Sequence, residues 1–254
     1  GFLGPSYGPF RPDLSKIFAR ELETGMKGEL ARLGNNHTTS LTLNPDLPLG
    51  RIRSRRQLLA GLDRIKRDVD ASGMMEAMDR FTQQAVGILT SGRFAEALDF
   101  SNEPTEVVAR YQAPPDKIER FVTSESPEGS LKLLLARRLI EAGVRVVSLT
   151  ISDFDTHSKN FPRMRQMAPI IDQGLTALVD DLDERGMLDD VTIVAWGEFG
   201  RTPQINKNGG RDHWPRVSPA FIVGGGCQSG QVIGNTDRLA GSPTERPIHF
   251  KDVF

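Results

Sequence analysis

The reading of the fold turns on VRVVSLTIS, residues 144–152, and on the chain that follows it as far as VTIVAW, residues 191–196. Both runs are dense in the β-branched residues that strands favour. Between them Met164, Met167, Ile170, Ile171, Leu175, Leu178, Val179 and Leu182 recur at helical spacing, which predicts an amphipathic helix over 161–185 ended by Gly186. Strand, long helix, strand is a βαβ unit, and such a unit implies parallel strands joined by a right-handed crossover. A further strand fits PAFIVGG (219–225) and a short one GQVIG (230–234). The expected fold is therefore α/β, a mostly parallel sheet flanked by helices.

Upstream the pattern changes. Residues 1–50 are rich in Gly, Pro and Asn and read as a loop-rich, extended segment with one short helix at 13–23. Helical spacing returns over 54–72 and 74–91, the second through Met75, Met78, Phe81, Ala85, Ile88 and Leu89. In SNEPTEVVARY, Ser101 or Asn102 reads as the N-cap of a short helix with Glu106 in its first turn. Residues 131–142 predict another helix, with Gly143 at the C′ position. A loop-rich segment (1–50), a helical segment (51–143) and an α/β part (144–254) are expected to make one domain. The chain opens GFLGPSYGPF without a methionine and stops at PIHFKDVF, so an internal piece of a longer protein is expected, cut at both ends.

Composition narrows the function classes. Lys and Arg number 32 against 33 Asp and Glu, for a net charge of -1, which leaves no basic footprint for nucleic acid and no polybasic membrane patch. No run of 18 apolar residues offers a transmembrane helix. Cys227 is the single cysteine, which excludes an internal disulfide and a thiolate metal cluster. No internal repeat is visible.

The polar clusters follow the predicted strands. The first strand runs into SDFDTHS, with Asp153, Asp155 and His157; the second into GEFGRTP, with Glu198 and Arg201. GGRDHWP adds Arg211, Asp212, His213 and Trp214 before the third. Parallel strands would bring these loops to one edge, the crevice where open α/β sheets bind ligands. Two histidines with several carboxylates and no thiolate suit Zn²⁺, Mn²⁺ or Mg²⁺. Arg201 and Arg211 would give fork-shaped donors for a phosphate- or sulfate-like oxyanion.

Each residue also has a plainer reading. A single histidine fills many roles, Glu198 reads equally as a solvated loop acid, Asp212 as a turn-former after Gly-Gly, and Arg201 as the partner of a neighbouring carboxylate. Trp214 suits packing. His37 and His249 read as surface residues, Cys227 as a small loop residue, and Met74, Met75 and Met78 as core fillers. The glycines at 224–226 are no phosphate loop, because no Lys-Ser/Thr follows.

GFLGPSYGPF, LLLARRLIEAGVRVVSL, DFDTH, LVDDLDERGMLDDVTIVAWGEFGRTPQIN, GRDHWP and GNTD together resemble the domain-of-unknown-function family 1501 (DUF1501) across almost the whole chain. The resemblance implies the alkaline phosphatase and sulfatase-like superfamily: a mostly parallel sheet, divalent metal on Asp and His, and hydrolysis of phosphate or sulfate esters. It implies Asp155 and His157 as favoured ligands, with Asp153 as a substitute. Glu198 stands at the Asp of an Asp-His pair, His213 is a late ligand, and Asp212 is a ligand or an orienter of one. Phe199 stands where that pair would have histidine, which puts one metal site in doubt. The nucleophile is not visible, and Ser152, Thr156 and Thr202 are poor substitutes. Export to the periplasm or beyond is also implied. Two readings stay beside the hydrolase: a non-catalytic module of the same fold binding an anionic sugar or a partner protein, and a purely structural rim of ion pairs.

Overall fold

The structure is a computed structural model that describes residues 92–114, 121 and 125–253. The loop-rich segment 1–50 and the helices expected at 54–72 and 74–91 lie outside the described residues, as do His37 and Met74, Met75 and Met78. The chain divides into two compact units, one of residues 1–103 with Arg138–Ser148, the other of Pro104–Arg137 with Leu149–Phe254.

In the first unit, helix α1 (Arg93–Leu98) buries Phe94 and Ala97. Its last carbonyls are met by one side chain. Arg138 donates to the carbonyl oxygens of Glu96, Ala97 and Asp99 at 2.6, 2.9 and 2.8 Å and pairs with Glu103. A cation at a helix C-terminus satisfies orphan carbonyls and complements the helix dipole.

The second unit is built on helices. Helix α2 (Thr105–Tyr111) starts after Pro104, with Glu106 in its first turn; the cap expected at Ser101 or Asn102 instead falls in a short 3-10 turn, Phe100–Asn102. Helix α3 (Leu131–Glu141), whose residues from Arg138 on belong to the first unit, ends in a Schellman pattern, with Gly143 N–H donating to Ile140 O and Val144 N–H to Leu139 O, and Gly143 at φ 100°. Helix α4 (Asn160–Glu184) carries the predicted apolar face, burying Met167, Ile170, Gly174, Ala177, Leu178 and Leu182. It closes the same way: Met187 N–H reaches Leu182 O and Gly186, at φ 65°, reaches Asp183 O. A Cβ on Gly174 would lie 2.3 Å from Leu133 Cδ1, so a side chain there would have to displace Leu133. Across this packing runs a buried ionic cluster. The Asp181 carboxylate accepts from Tyr111 Oη at 2.9 Å, Arg137 Nε at 2.8 Å and Arg185 Nε at 2.7 Å.

Among the described residues the expected mostly parallel sheet is not present. Strands β1 (Thr192–Trp196), β2 (Gly200–Arg201), β3 (His213–Trp214), β4 (Ala220–Gly224), β5 (Asn235–Thr236) and β6 (Pro243–Glu245) form three separate two-stranded sheets, β1-β4, β2-β3 and β5-β6, all antiparallel. The run 144–152 is no strand, so the βαβ reading and its crossover fall with it, and 230–234 is likewise irregular. The reason lies in where the side chains go. Ile151 and Phe154 pack on the buried cluster Ala113, Met167 and Ile170, while Val146 is 83% exposed. An extended β-branched run becomes a strand only when a neighbouring edge takes its N–H and C=O groups; here Ile151 packs on the helical cluster while Val146 and Leu149 stay exposed.

β1 pairs with β4 in the register Thr192↔Gly224 to Trp196↔Ala220, and β2-β3 is nested inside the connection between them, with Gly200↔Trp214 and Arg201↔His213. The result is one long interrupted hairpin. At its interruption a Cβ on Gly200 would fall 1.7 Å from Val217 O, a place only glycine fits.

Candidate metal centre

The hairpin tip, residues 202–212, folds back onto the segment that leads into α4. Arg211 N–H donates to Thr156 O at 2.8 Å, Asn160 N–H to Gly209 O at 2.9 Å and Lys159 N–H to Asn208 O at 3.2 Å, with an antiparallel bridge between Ser158 and Gly209. The two backbones touch at Gly210. A Cβ there would stand 2.1 Å from His157 C and 2.2 Å from its O. Asn206 locks the tip. Its Oδ1 accepts from Asn208 N–H and Gly210 N–H at 2.9 Å each, and its Nδ2 donates to His157 O at 3.0 Å and Asp212 Oδ1 at 3.1 Å.

This junction sets Asp155 and His157, from the lead-in, against His213, from β3. Asp155 Oδ1, His157 Nε2 and His213 Nε2 form a near-equilateral triangle with edges of 3.1, 3.0 and 3.1 Å. Ions bound at about 2.0–2.2 Å hold neighbouring ligand atoms roughly 3.0–3.4 Å apart, so these three can hold a metal ion. The side chains of Asp155, His157 and His213 are 63%, 48% and 50% exposed, so the triangle is open to solvent.

The protons sharpen the point. His157 Nδ1 lies 2.8 Å from Asp212 Oδ1, an acceptor, so in the neutral ring Nδ1 carries the hydrogen and Nε2 presents a lone pair. That lone pair faces Asp155 Oδ1, also an acceptor. His213 has one Nε2 hydrogen at most, and it cannot fill both gaps. A carboxylate behind a histidine, fixing tautomer and ring direction, is the usual support of a metal-binding imidazole.

Burial works against ionisation of Asp155, but hydrogen bonds from His213 and Arg201 outweigh it and hold its carboxyl below the ordinary value. Hydrogen bonds from His157 and Asn206 do the same for Asp212. Both groups are thus acceptors near neutral pH.

The other residues singled out from the sequence take different positions. Asp153, at φ 76°, turns its carboxylate to Arg163 and away from the triangle. Arg201 donates to Asp155 Oδ1 at 2.5 Å and to Glu198 Oε1 at 3.0 Å. Glu198 is therefore one side chain removed from the triangle. Arg211 gives Nη1 to the carbonyls of Thr202 and Pro203 at 2.6 and 2.8 Å, inside the tip. The Phe199 ring packs on His213, with centroids 4.4 Å apart, and the Arg201 guanidinium lies over the Phe199 ring, 5.2 Å from its centroid. Trp214 Nε1 donates to Gly241 O, a packing role. Asn206 and Gly210 were missed by sequence reasoning, although Asn208 before Gly209-Gly210 is a recognisable signal of the turn they belong to.

The fold and the site define a helix-rich chain with small antiparallel sheets and an open carboxylate–histidine cluster able to hold a metal ion. The chain belongs to the family described as "Protein of unknown function (DUF1501)", whose model matches residues 1–254. No curated protein and no solved structure matches it. Among the described residues no helix is long and apolar enough to cross a membrane.

Proposed function

We propose that Asp155, His157 and His213 are the ligands of a divalent ion, Zn²⁺, Mn²⁺ or Mg²⁺, in a hydrolase acting on phosphate or sulfate esters. The observation that carries the metal reading is the contact between two acceptors, His157 Nε2 and Asp155 Oδ1, at 3.1 Å. A cation between them removes the repulsion; a second proton on His157 is the competing remedy, and metal uptake with proton release separates the two. A bound ion would supply Lewis acidity toward an ester oxygen and a water. Asp212 would hold His157 in its ligating tautomer, Asn206 would hold Asp212, and Arg201 beside the triangle would give a donor to an oxyanion. The ester chemistry itself rests on the family resemblance.

A specific observation favours the binding-module alternative: the three hydroxyls singled out from the sequence are engaged elsewhere. Ser152 donates to Glu125, Thr156 to Asn160 Oδ1 and Thr202 to Gln204 O. The test is turnover of aryl phosphate and aryl sulfate by the metal-loaded chain. Turnover that requires metal and disappears in His213→Ala supports the hydrolase. Turnover that survives His213→Ala rejects it, and tight sulfated-glycan binding without turnover supports the binding module.

A further inference from the structure

Arg201 has an unusual place for an anion-binding residue. Its Nη1 sits 2.5 Å from Asp155 Oδ1, the same oxygen that forms one corner of the ligand triangle. That oxygen has three nitrogens around it: Arg201 Nη1, His213 Nε2 at 3.0 Å and His157 Nε2 at 3.1 Å. Meanwhile Nη2 is already held by Glu198 Oε1 at 3.0 Å, and the guanidinium lies over the Phe199 ring. One fork therefore spans two carboxylates, one inside the triangle and one outside.

We infer that Arg201 is a built-in competitor of the metal, occupying the Asp155 oxygen in the ion-free protein and withdrawing toward Glu198 when a divalent cation takes that oxygen. The inference rests on the metal-centre reading above and adds its regulation. A guanidinium keeps its charge in proteins, so it relieves repulsion only by moving. A divalent ion and a guanidinium on one carboxylate oxygen repel each other. Glu198 offers an existing second partner, and the Phe199 face a surface along which the planar group can slide while keeping its contact. The donor freed from Asp155 is then left beside the ion, available to an oxyanion, so metal and oxyanion favour each other's binding. The nested hairpin couples these parts, because Arg201 and His213 are register partners across β2-β3.

Removing Arg201 and removing its second partner Glu198 should shift metal affinity in opposite directions. Calorimetric titration of the full chain with Zn²⁺ or Mn²⁺ should show Arg201→Gln binding about tenfold or more tighter than wild type, since the competing charge is gone. Glu198→Gln should bind several-fold more weakly, because Arg201 then rests wholly on Asp155. Arg201→Lys, which keeps the charge but cannot span both acids, should fall on the wild-type side of Arg201→Gln. Sulfate in the cell should tighten metal binding by wild type and leave Arg201→Gln unmoved. If wild type binds metal and His157→Ala/His213→Ala does not, yet Arg201→Gln binds equally or more weakly, the competitor role is wrong and the metal centre stands. If wild type and the double histidine variant take up metal alike, or not at all, both fall.

Discussion

Gly210 gives the sharpest prediction, because the contact it makes can be converted into a displacement. A Cβ at that position would lie 2.1 Å from His157 C and 2.4 Å from Ser158 N, against ordinary contacts of 3.4 Å or more. Gly210→Ala must therefore push the hairpin tip and the α4 lead-in apart by about 1 Å, since packed backbone has no room to absorb the methyl group. Four hydrogen bonds to backbone carbonyls cross the junction there: Arg211 to Thr156, Asn160 to Gly209, Lys159 to Asn208 and Asn206 to His157. At about 0.5–1.5 kcal/mol each, weakening them should cost roughly 2–4 kcal/mol of stability. The same step carries His157 away from His213 and opens the 3.1 Å triangle edge between them toward about 4 Å, beyond the span of a shared ion. Gly209→Ala is the control. Its φ of 71° makes alanine strained, at about 1–2 kcal/mol, but its Cβ meets nothing nearer than 4.0 Å. Urea unfolding and metal titration of both variants provide the assay. Gly210→Ala should lose stability and at least about a hundredfold in metal affinity, whereas Gly209→Ala should lose stability alone. Equal metal binding by Gly210→Ala and wild type, or equal loss in both variants, would refute the claim that this backbone contact sets the triangle.

Three further outcomes follow from the contacts described. Asp212→Asn should lower metal affinity by about 10–100-fold with little change in melting temperature, because it removes the charge behind His157 at an exposed position. Asp181→Ala should cost about 3–5 kcal/mol in urea unfolding, since it removes the buried carboxylate that accepts from Tyr111, Arg137 and Arg185. Burial of Asp181 opposes its ionisation, but hydrogen bonds from Arg185 and Tyr111 and the charge of Arg137 prevail and hold the folded-state carboxyl low. The lower folded value means that this stabilisation is complete above the unfolded value of about 3.9 and is lost as pH falls through the folded one. Stability measured from pH 6 down to about 2 should fall more gently below pH 4 in Asp181→Asn than in wild type, once their difference at pH 6 is subtracted; parallel curves would contradict it.

How much was legible differs element by element. The spacing of Met167, Ile170, Leu178 and Leu182 gave α4, and Gly143 and Gly186 marked helix ends that the backbone closes as Schellman turns. The β-branched runs at 191–196 and 219–225 gave β1 and β4. Their direction was not legible from those runs. Composition says that a segment suits a pleated surface, not which edge it will find, and 144–152 had the composition without the edge. The antiparallel answer lay instead in NKNGG, residues 206–210, a turn that reverses the chain between Arg201 and His213. Asp155, His157, Asp212 and His213 do come together, but through a hairpin tip pressed on a helix lead-in and not through parallel strand ends. Asp153 and Asp155 could not be separated by spacing; the positive φ at Asp153 turns the first toward Arg163 and leaves the second facing the histidines.

The central claim, that Asp155, His157 and His213 hold a divalent ion, is tested most directly by elemental mass spectrometry of the chain purified without chelator, beside a His157→Ala/His213→Ala variant. The account predicts about one equivalent of Zn, Mn or Mg in the wild type and a background level in the folded variant. Equal content in the two, or no metal in a folded wild type after incubation with each ion, would contradict it and leave the triangle as a hydrogen-bonded rim.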